Sequence, residues 1–156
     1  KVTSKSDKSF STALRLLTRR DYSRTELQQK LVAREYEAVQ IEATIERCQK
    51  LGYLDDRRYA INRARSLMTQ GRAVGRRIEM DLRKRGISEE LATEALEQAR
   101  EECDETQLLR SLLERRFPDF DYDSAPAKER RRVIHFLQRR GFTLDRIMNQ
   151  LTRQGV

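Results

Sequence analysis

Histidine occurs once, at position 135, and the two cysteines, Cys48 and Cys103, stand 55 residues apart. Neither cysteine belongs to a CxxC pair, so zinc-ligand spacing is absent and no metal or cofactor is expected. Both cysteines read as buried, reduced thiols of a cytosolic protein. A lone histidine has no second histidine to assist it, and no nucleophile is paired with a base. An enzyme is therefore the least expected class, and His135, between Ile134 and Phe136, reads as a half-buried packing residue. Prolines occur only at 118 and 126. With β-branched residues also scarce, a strand-rich fold is excluded. There is no long apolar run and no signal-peptide core, which argues against membrane spanning or secretion and for a cytoplasmic protein. Glycine is rare too. Gly52, Gly71, Gly86 and Gly141 fall at expected helix ends, Gly75 near a helix start and Gly155 in the tail, which leaves none for a phosphate-cradling loop.

Charge is abundant instead. Lysine and arginine number 33 against 25 acidic residues, a net charge of +8. Most of the cations are arginine, whose planar fork pairs with phosphate or carboxylate. The charge is also segregated along the chain. Arg57–Arg85 holds ten basic residues against Glu79 and Asp81. Glu89–Glu105 holds eight acidic residues against Arg100, and Lys128–Arg140 six basic residues against Glu129. A solvated surface is the plain reading of the acidic stretch. The basic stretches lack local acidic partners, which points to an anionic partner.

Helix punctuation organises the rest. Asp7 or Ser9 can open a first helix carrying Phe10, Ala13, Leu14, Leu16 and Leu17. Ser23-Arg24-Thr25-Glu26 is a capping box opening a second, with Leu27 and Leu31 one turn apart. A third runs from about Glu37, with Val39, Ile41, Ile45, Cys48 and Leu51 inward and Gly52 at its end. Asp55 caps a fourth, burying Tyr59, Ala60, Ala64 and Leu67. The pair Asp55-Asp56 is thus explained by capping rather than by metal or acid–base chemistry. Val74, Ile78 and Leu82 mark a fifth helix, Ser88 opens a sixth and Asp104 a seventh that ends at Phe117-Pro118. Phe117–Asp123 is an acidic aromatic connector. Pro126 suits the first position of an eighth helix, which holds Val133, Ile134 and Leu137, and Thr143 opens a ninth.

Leu82-Arg83-Lys84-Arg85-Gly86-Ile87-Ser88 repeats as Leu137-Gln138-Arg139-Arg140-Gly141-Phe142-Thr143. In both, a helix ends on a positive turn, glycine takes the left-handed position, an apolar residue tucks in and a hydroxyl caps the next helix. The first unit is a weaker copy: Leu27 and Leu31 align with Ile78 and Leu82, but Arg34-Glu35-Tyr36 replaces the glycine turn. The expected fold is all-α, about nine helices in three tandem three-helix repeats, elongated. The repeats span 7–54, 55–103 and 104–156, after a disordered tail over 1–6. Each is too small for a good core alone, so neighbours should help through end contacts.

The candidate binding residues are the exposed cations of the middle and last units. Arg72, Arg76 and Arg83 lie on or near one face of the fifth helix, flanked by Arg77 and Lys84. Arg132 and Arg139 share a face of the eighth, near Arg131, and Arg57 and Arg58 open the fourth. A sequence-specific helix-turn-helix DNA binder is the alternative. It would read base edges from one recognition helix, whereas here asparagine occurs only at 62 and 149 and the cations spread over several modules.

Gly52-Tyr53-Leu54-Asp55-Asp56-Arg57-Arg58-Tyr59-Ala60 resembles the G-[YF]-[LI]-[DN]-D-x-x-[YF]-A signature of the RecX family. Ser23-Arg24-Thr25-Glu26-Leu27-Gln28-Gln29-Lys30-Leu31 is similar to its S-x-x-E-L-x-x-K-L segment. Arg77-Ile78, Leu82 and Lys84-Arg85-Gly86-Ile87 are similar to its R-I-x-x-x-L-x-x-[KR]-G-I stretch. Arg72-Ala73-Val74-Gly75 departs from the family's G-x-G-P turn. The resemblance runs in family order from about Phe10 to Leu151. It implies a monomeric, non-enzymatic regulator in DNA repair, homologous recombination and the SOS response. Such a regulator binds the RecA filament on single-stranded DNA, and duplex more weakly. It mostly inhibits the recombinase, ATPase and coprotease activities of RecA. In that reading Gly52, Tyr53, Leu54, Asp55, Asp56, Gly86 and Gly141 are structural signature positions.

Overall fold

The computed structural model describes residues 5–153. Among them are nine helices and no strand: α1 (Lys5–Arg19), α2 (Arg24–Ala33), α3 (Ala38–Lys50), α4 (Asp56–Thr69), α5 (Arg76–Lys84), α6 (Glu89–Glu102), α7 (Glu105–Arg116), α8 (Ala127–Arg139) and α9 (Leu144–Arg153). The tail expected over 1–6 lies partly outside the described residues, and α1 begins at Lys5, ahead of Asp7.

The caps stand where the short polar side chains foretell them. Ser23 and Glu26 form a reciprocal capping box. Asp55, Ser88 and Asp104 each accept a first-turn backbone N–H. Pro126 occupies the N-cap of α8, one position earlier than expected. Val39 and Leu51 are exposed although their spacing fits the inward stripe of α3. Both lie at the ends of that helix, where nothing packs over them. Val74 precedes α5 yet is buried, because Gly75, at φ +53°, turns the chain into the helix after it. His135 is exposed, on the outer side of α8 from Val133 and Leu137. Cys48 is buried and Cys103 half-buried, and both are free thiols.

Every helix pair in extensive contact lies within one unit: α1, α2 and α3 together, α4, α5 and α6 together, and α9 against α7 and α8. The accessible surface is 10439 Å², against roughly 8200 Å² for a compact monomer of this mass. The molecule is therefore extended, with thin units joined at their ends. Two apolar cores fill it. One is confined to the first unit, around Leu27, Leu31, Ile41, Ile45 and Cys48. The other runs unbroken from the second unit into the third, from Ala60 and Ile78 to Val133, Leu137 and Ile147.

The joints reuse one device. In each of the last two units, the turn between the second and third helices presses on the preceding unit, at the start of its second helix. The Arg85 carbonyl accepts a hydrogen bond from Ser23 Oγ at 2.6 Å. The Arg140 carbonyl accepts one from the Val74 N–H at 2.8 Å. The next residue in each case is a glycine, Gly86 at φ +85° and Gly141 at φ +106°. A Cβ on Gly86 would stand 2.1 Å from Thr25 Oγ1, and one on Gly141 2.0 Å from the Val74 carbonyl oxygen. Glycine is required there twice over, by conformation and by approach. The first unit makes the same turn: Tyr36 N–H bonds the Leu31 carbonyl as Ile87 bonds Leu82 and Phe142 bonds Leu137. Its left-handed residue is Glu35, at φ 64°. Glu35 is exposed, so a side chain fits and only the backbone strain remains.

Replacing Gly52 by alanine, where a Cβ would meet nothing within 4 Å, should cost about 1–2 kcal/mol for the left-handed backbone. Gly86→Ala and Gly141→Ala should cost a further 1–3 kcal/mol or so for overlap with the preceding unit. Urea unfolding compares the three, and equal midpoints would contradict the role given to the joints.

Candidate nucleic-acid interface

The cations of the middle unit divide into two sets that the linear sequence does not separate. Four of the ten basic residues in Arg57–Arg85 are neutralised from within, two by the acidic helix α6, which lies beside α4, and two by Asp81 of α5. Arg57 pairs with Glu94 and Arg65 with Glu102 at 2.8 Å. Arg63 and Arg85 share Asp81, at 2.9 and 3.1 Å. Arg58 bonds the Gly52 carbonyl at 3.1 Å. Arg72, Arg76, Arg77, Arg83 and Lys84 are exposed, with no carboxylate within salt-bridge distance among the described residues. The same holds for Arg131, Arg132 and Arg139 on α8. Of the ten proposed from sequence, these eight engage neither a carboxylate nor a backbone carbonyl among the described residues, Arg58 is held by a carbonyl alone, and Arg57 is neutralised.

Tertiary structure brings part of this set together. The α8–α9 turn rests on the loop before α5, so the C-terminal end of α8 meets the N-terminal end of α5. A Cβ on Gly141 would lie 3.0 Å from Arg77 Cβ, and Arg139 is two residues away in the chain. Arg72 adjoins Gly71, whose carbonyl accepts from Arg140 Nη1 at 2.9 Å. Arg83 and Lys84 stand at the opposite end of α5, beside the joint with the first unit. Sequence reasoning missed Arg115, Arg116 and Arg140. The first two, at the end of α7, carried no signal along the chain, and Arg140 read only as part of the repeated turn. Only the packing of α7 against the second joint makes them neighbours. The signature residues serve structure: Leu54 is buried, Asp55 caps α4, and Asp56 accepts from the Arg24 N–H at 2.7 Å across the first joint. Tyr53 is half exposed.

The first joint is ionic. Glu26 meets Arg20 at 3.0 Å and Arg85 at 3.4 Å. Burial opposes its charge, yet hydrogen bonds from Tyr59, Arg20 and the Ser23 N–H outweigh that and hold the carboxyl below its ordinary value of 4.5. Asp81 is likewise opposed by burial and held below 3.8 by Arg63 and Arg85. Burial, with the Glu26 carboxylate, pushes the Tyr59 hydroxyl up to about 12. No group of three or more His, Cys, Asp or Glu among the described residues is placed to hold a metal ion, and no described helix is long and apolar enough to cross a membrane.

Carboxyls held low in the fold stabilise it above their unfolded pKa, and that stability disappears as pH falls through the folded value. Thermal melts between pH 6 and pH 3 should therefore fall more steeply for the parent than for Glu26→Gln. Parallel curves would show that the ionic joint contributes nothing.

Comparison with known proteins fits this architecture. Three family models match in order: the first three-helix domain of RecX over residues 10–48, the second over 55–96 and the third over 102–149. The regulatory protein RecX of Syntrophotalea carbinolica is 44% identical over 133 residues, covering 85% of this chain and 87% of that protein. That of Trichlorobacter lovleyi is 38% identical over 138 residues, covering 88% and 90%. The crystal structure of RecX from Lactobacillus salivarius shares the fold with a TM-score of 0.72 at 22% identity, over 96% of both chains. With three consecutive domains and two such relatives matched along most of its length, the chain belongs to the RecX family of regulatory proteins.

Proposed function

We propose that this protein is a cytoplasmic, monomeric regulator that binds the RecA filament on single-stranded DNA and mostly inhibits its recombinase, ATPase and coprotease activities. It acts in that way on homologous recombination, DNA repair and the SOS response. One observation carries the reading. Cations without internal partners, from α5 and α8, are assembled across a joint between two units, on an extended body. A filament presents phosphates and acidic side chains repeatedly along a groove, and an extended body can engage several at once. Linked contacts of this kind gain effective concentration from one another. The three repeats, taken as 7–54, 55–103 and 104–156, act as one bridging unit in this reading. Opposed charges steer the encounter and make it depend on salt.

Co-sedimentation with RecA assembled on single-stranded DNA, beside RecA alone and DNA alone, tests the proposal. The filament should bind best, and ATP hydrolysis should fall as the protein is added. Equal or tighter binding to one defined duplex without RecA would favour the helix-turn-helix reading instead. Arg76→Glu with Arg83→Glu should weaken filament binding by roughly tenfold or more at low salt, about 1.4 kcal/mol. The difference should shrink as salt rises. Both residues are exposed, so circular dichroism and melting should be nearly unchanged. An unaltered binding curve would place the contact surface elsewhere.

A further inference from the structure

Arg85 and Arg140 occupy the same position in consecutive repeats, the residue before the joint glycine. Their surroundings differ in one respect. Arg85 is neutralised inside the fold by Asp81 and Glu26. Arg140 has no carboxylate within salt-bridge distance among the described residues. Its Nη1 donates to the Gly71 carbonyl and its guanidinium lies over the Phe136 ring at 4.4 Å, while its buried Nε has no hydrogen-bond partner among the described residues. Burial, then the charges of Arg116, Arg139 and Arg115, press its pKa downward. Arg116 also reaches the Phe136 ring, at 5.2 Å. An open pocket of about 270 Å³ lies between Gln70-Gly71 and the end of α7, lined by Leu112, Arg115, Arg116 and Arg140.

Folded proteins seldom gather like charges around a partly buried cation without a compensating anion, because desolvation and repulsion then add. We propose that this pocket is a phosphate site: Arg115, Arg116 and Arg140 receive a backbone phosphate of single-stranded nucleic acid. Guanidinium forks match phosphate oxygens. The exposed Arg72 and Arg139, each next in sequence to a pocket residue, continue the positive surface on either side, as a polyanionic strand requires. The assignment rests on the filament-binding reading and names where the strand is held.

Arg140 also supports the joint, so the test uses Arg115→Gln with Arg116→Gln. Both are exposed and outside the cores. The charge-matched control is Arg19→Gln with Arg34→Gln, in the first unit. Each full-length protein is titrated by fluorescence anisotropy against oligothymidine lacking terminal phosphates, over a series of salt concentrations, and against preformed RecA filaments. Circular dichroism checks the fold. The pocket variant should bind oligothymidine roughly tenfold more weakly at low salt, the worth of about 1.4 kcal/mol. Its log–log salt slope should be shallower by about 0.7 for each phosphate that the variant no longer neutralises. The control should be weakened far less. Equal weakening of the two variants would overturn the site, since net charge alone would then explain it. So would a parent that does not bind oligothymidine. Weaker binding to filaments with unchanged binding to oligothymidine would also overturn it, by assigning the pocket to a protein carboxylate. A parent that binds oligothymidine but not filaments would sink the filament reading while leaving the pocket to be judged by the first arm.

Discussion

The arrangement of the repeats depends on one interaction made twice: a helix–helix turn whose carbonyl accepts a hydrogen bond from the preceding unit, followed by a glycine with no room for a side chain. A three-helix unit of about fifty residues buries too little apolar surface to stand well by itself. The turn brings the next unit close enough to matter. Ser23 shows how economically this is done. Its hydroxyl oxygen accepts from the Glu26 N–H to cap α2 and donates to the Arg85 carbonyl to fasten the second unit. The capping box and the joint are the same four residues.

The two joints share this hydrogen bond and differ in what surrounds it. At the first, Arg20, Glu26, Tyr59, Arg63, Asp81 and Arg85 form a network of ion pairs and hydrogen bonds, and the first unit keeps its own apolar core. At the second, the apolar core continues across, with Val74, Leu112 and Phe142 in one cluster. Ion pairs near a surface weaken with salt and acid, whereas apolar burial does not. The first unit is thus attached by forces that ionic conditions tune, and the second and third form the more continuous body. The same contrast sets the electrostatics. At the second joint, Glu105 takes up Arg100 and Arg146, whereas Arg115, Arg116 and Arg140 have no carboxylate within salt-bridge distance among the described residues, and the positive charge accumulates around them.

Helix number, order and most boundaries were legible in the chain, because each depends on local chemistry. Ser, Asp and Thr satisfy first-turn N–H groups, and glycine takes the left-handed turn. Apolar residues at three- and four-residue spacing mark the inward stripe. The errors came where local chemistry is silent. Val39 and Leu51 fit the stripe but lie beyond the packed part of α3, and His135 faces outward. The alignment set Glu35 against the glycines of the later turns, but that it takes the same left-handed conformation was not legible. What admits a side chain there is that none of the described residues crowds it, a fact about neighbours.

The sequence by itself determined an all-helical repeat with a large excess of arginine and a matched glycine turn in two units. It also carried the family resemblance that the three domain matches bear out. Which arginines are free was decided by tertiary structure alone. Charge pairing acts through space over a few ångströms, so α6 can neutralise Arg57 and Arg65 from 37 residues away in the chain. Arg115 and Arg116 at the end of α7 meet Arg140, just after α8, at one joint because the helices pack there. A list of charges along a chain holds no distances, and distance is what separates a satisfied cation from one left to meet a partner.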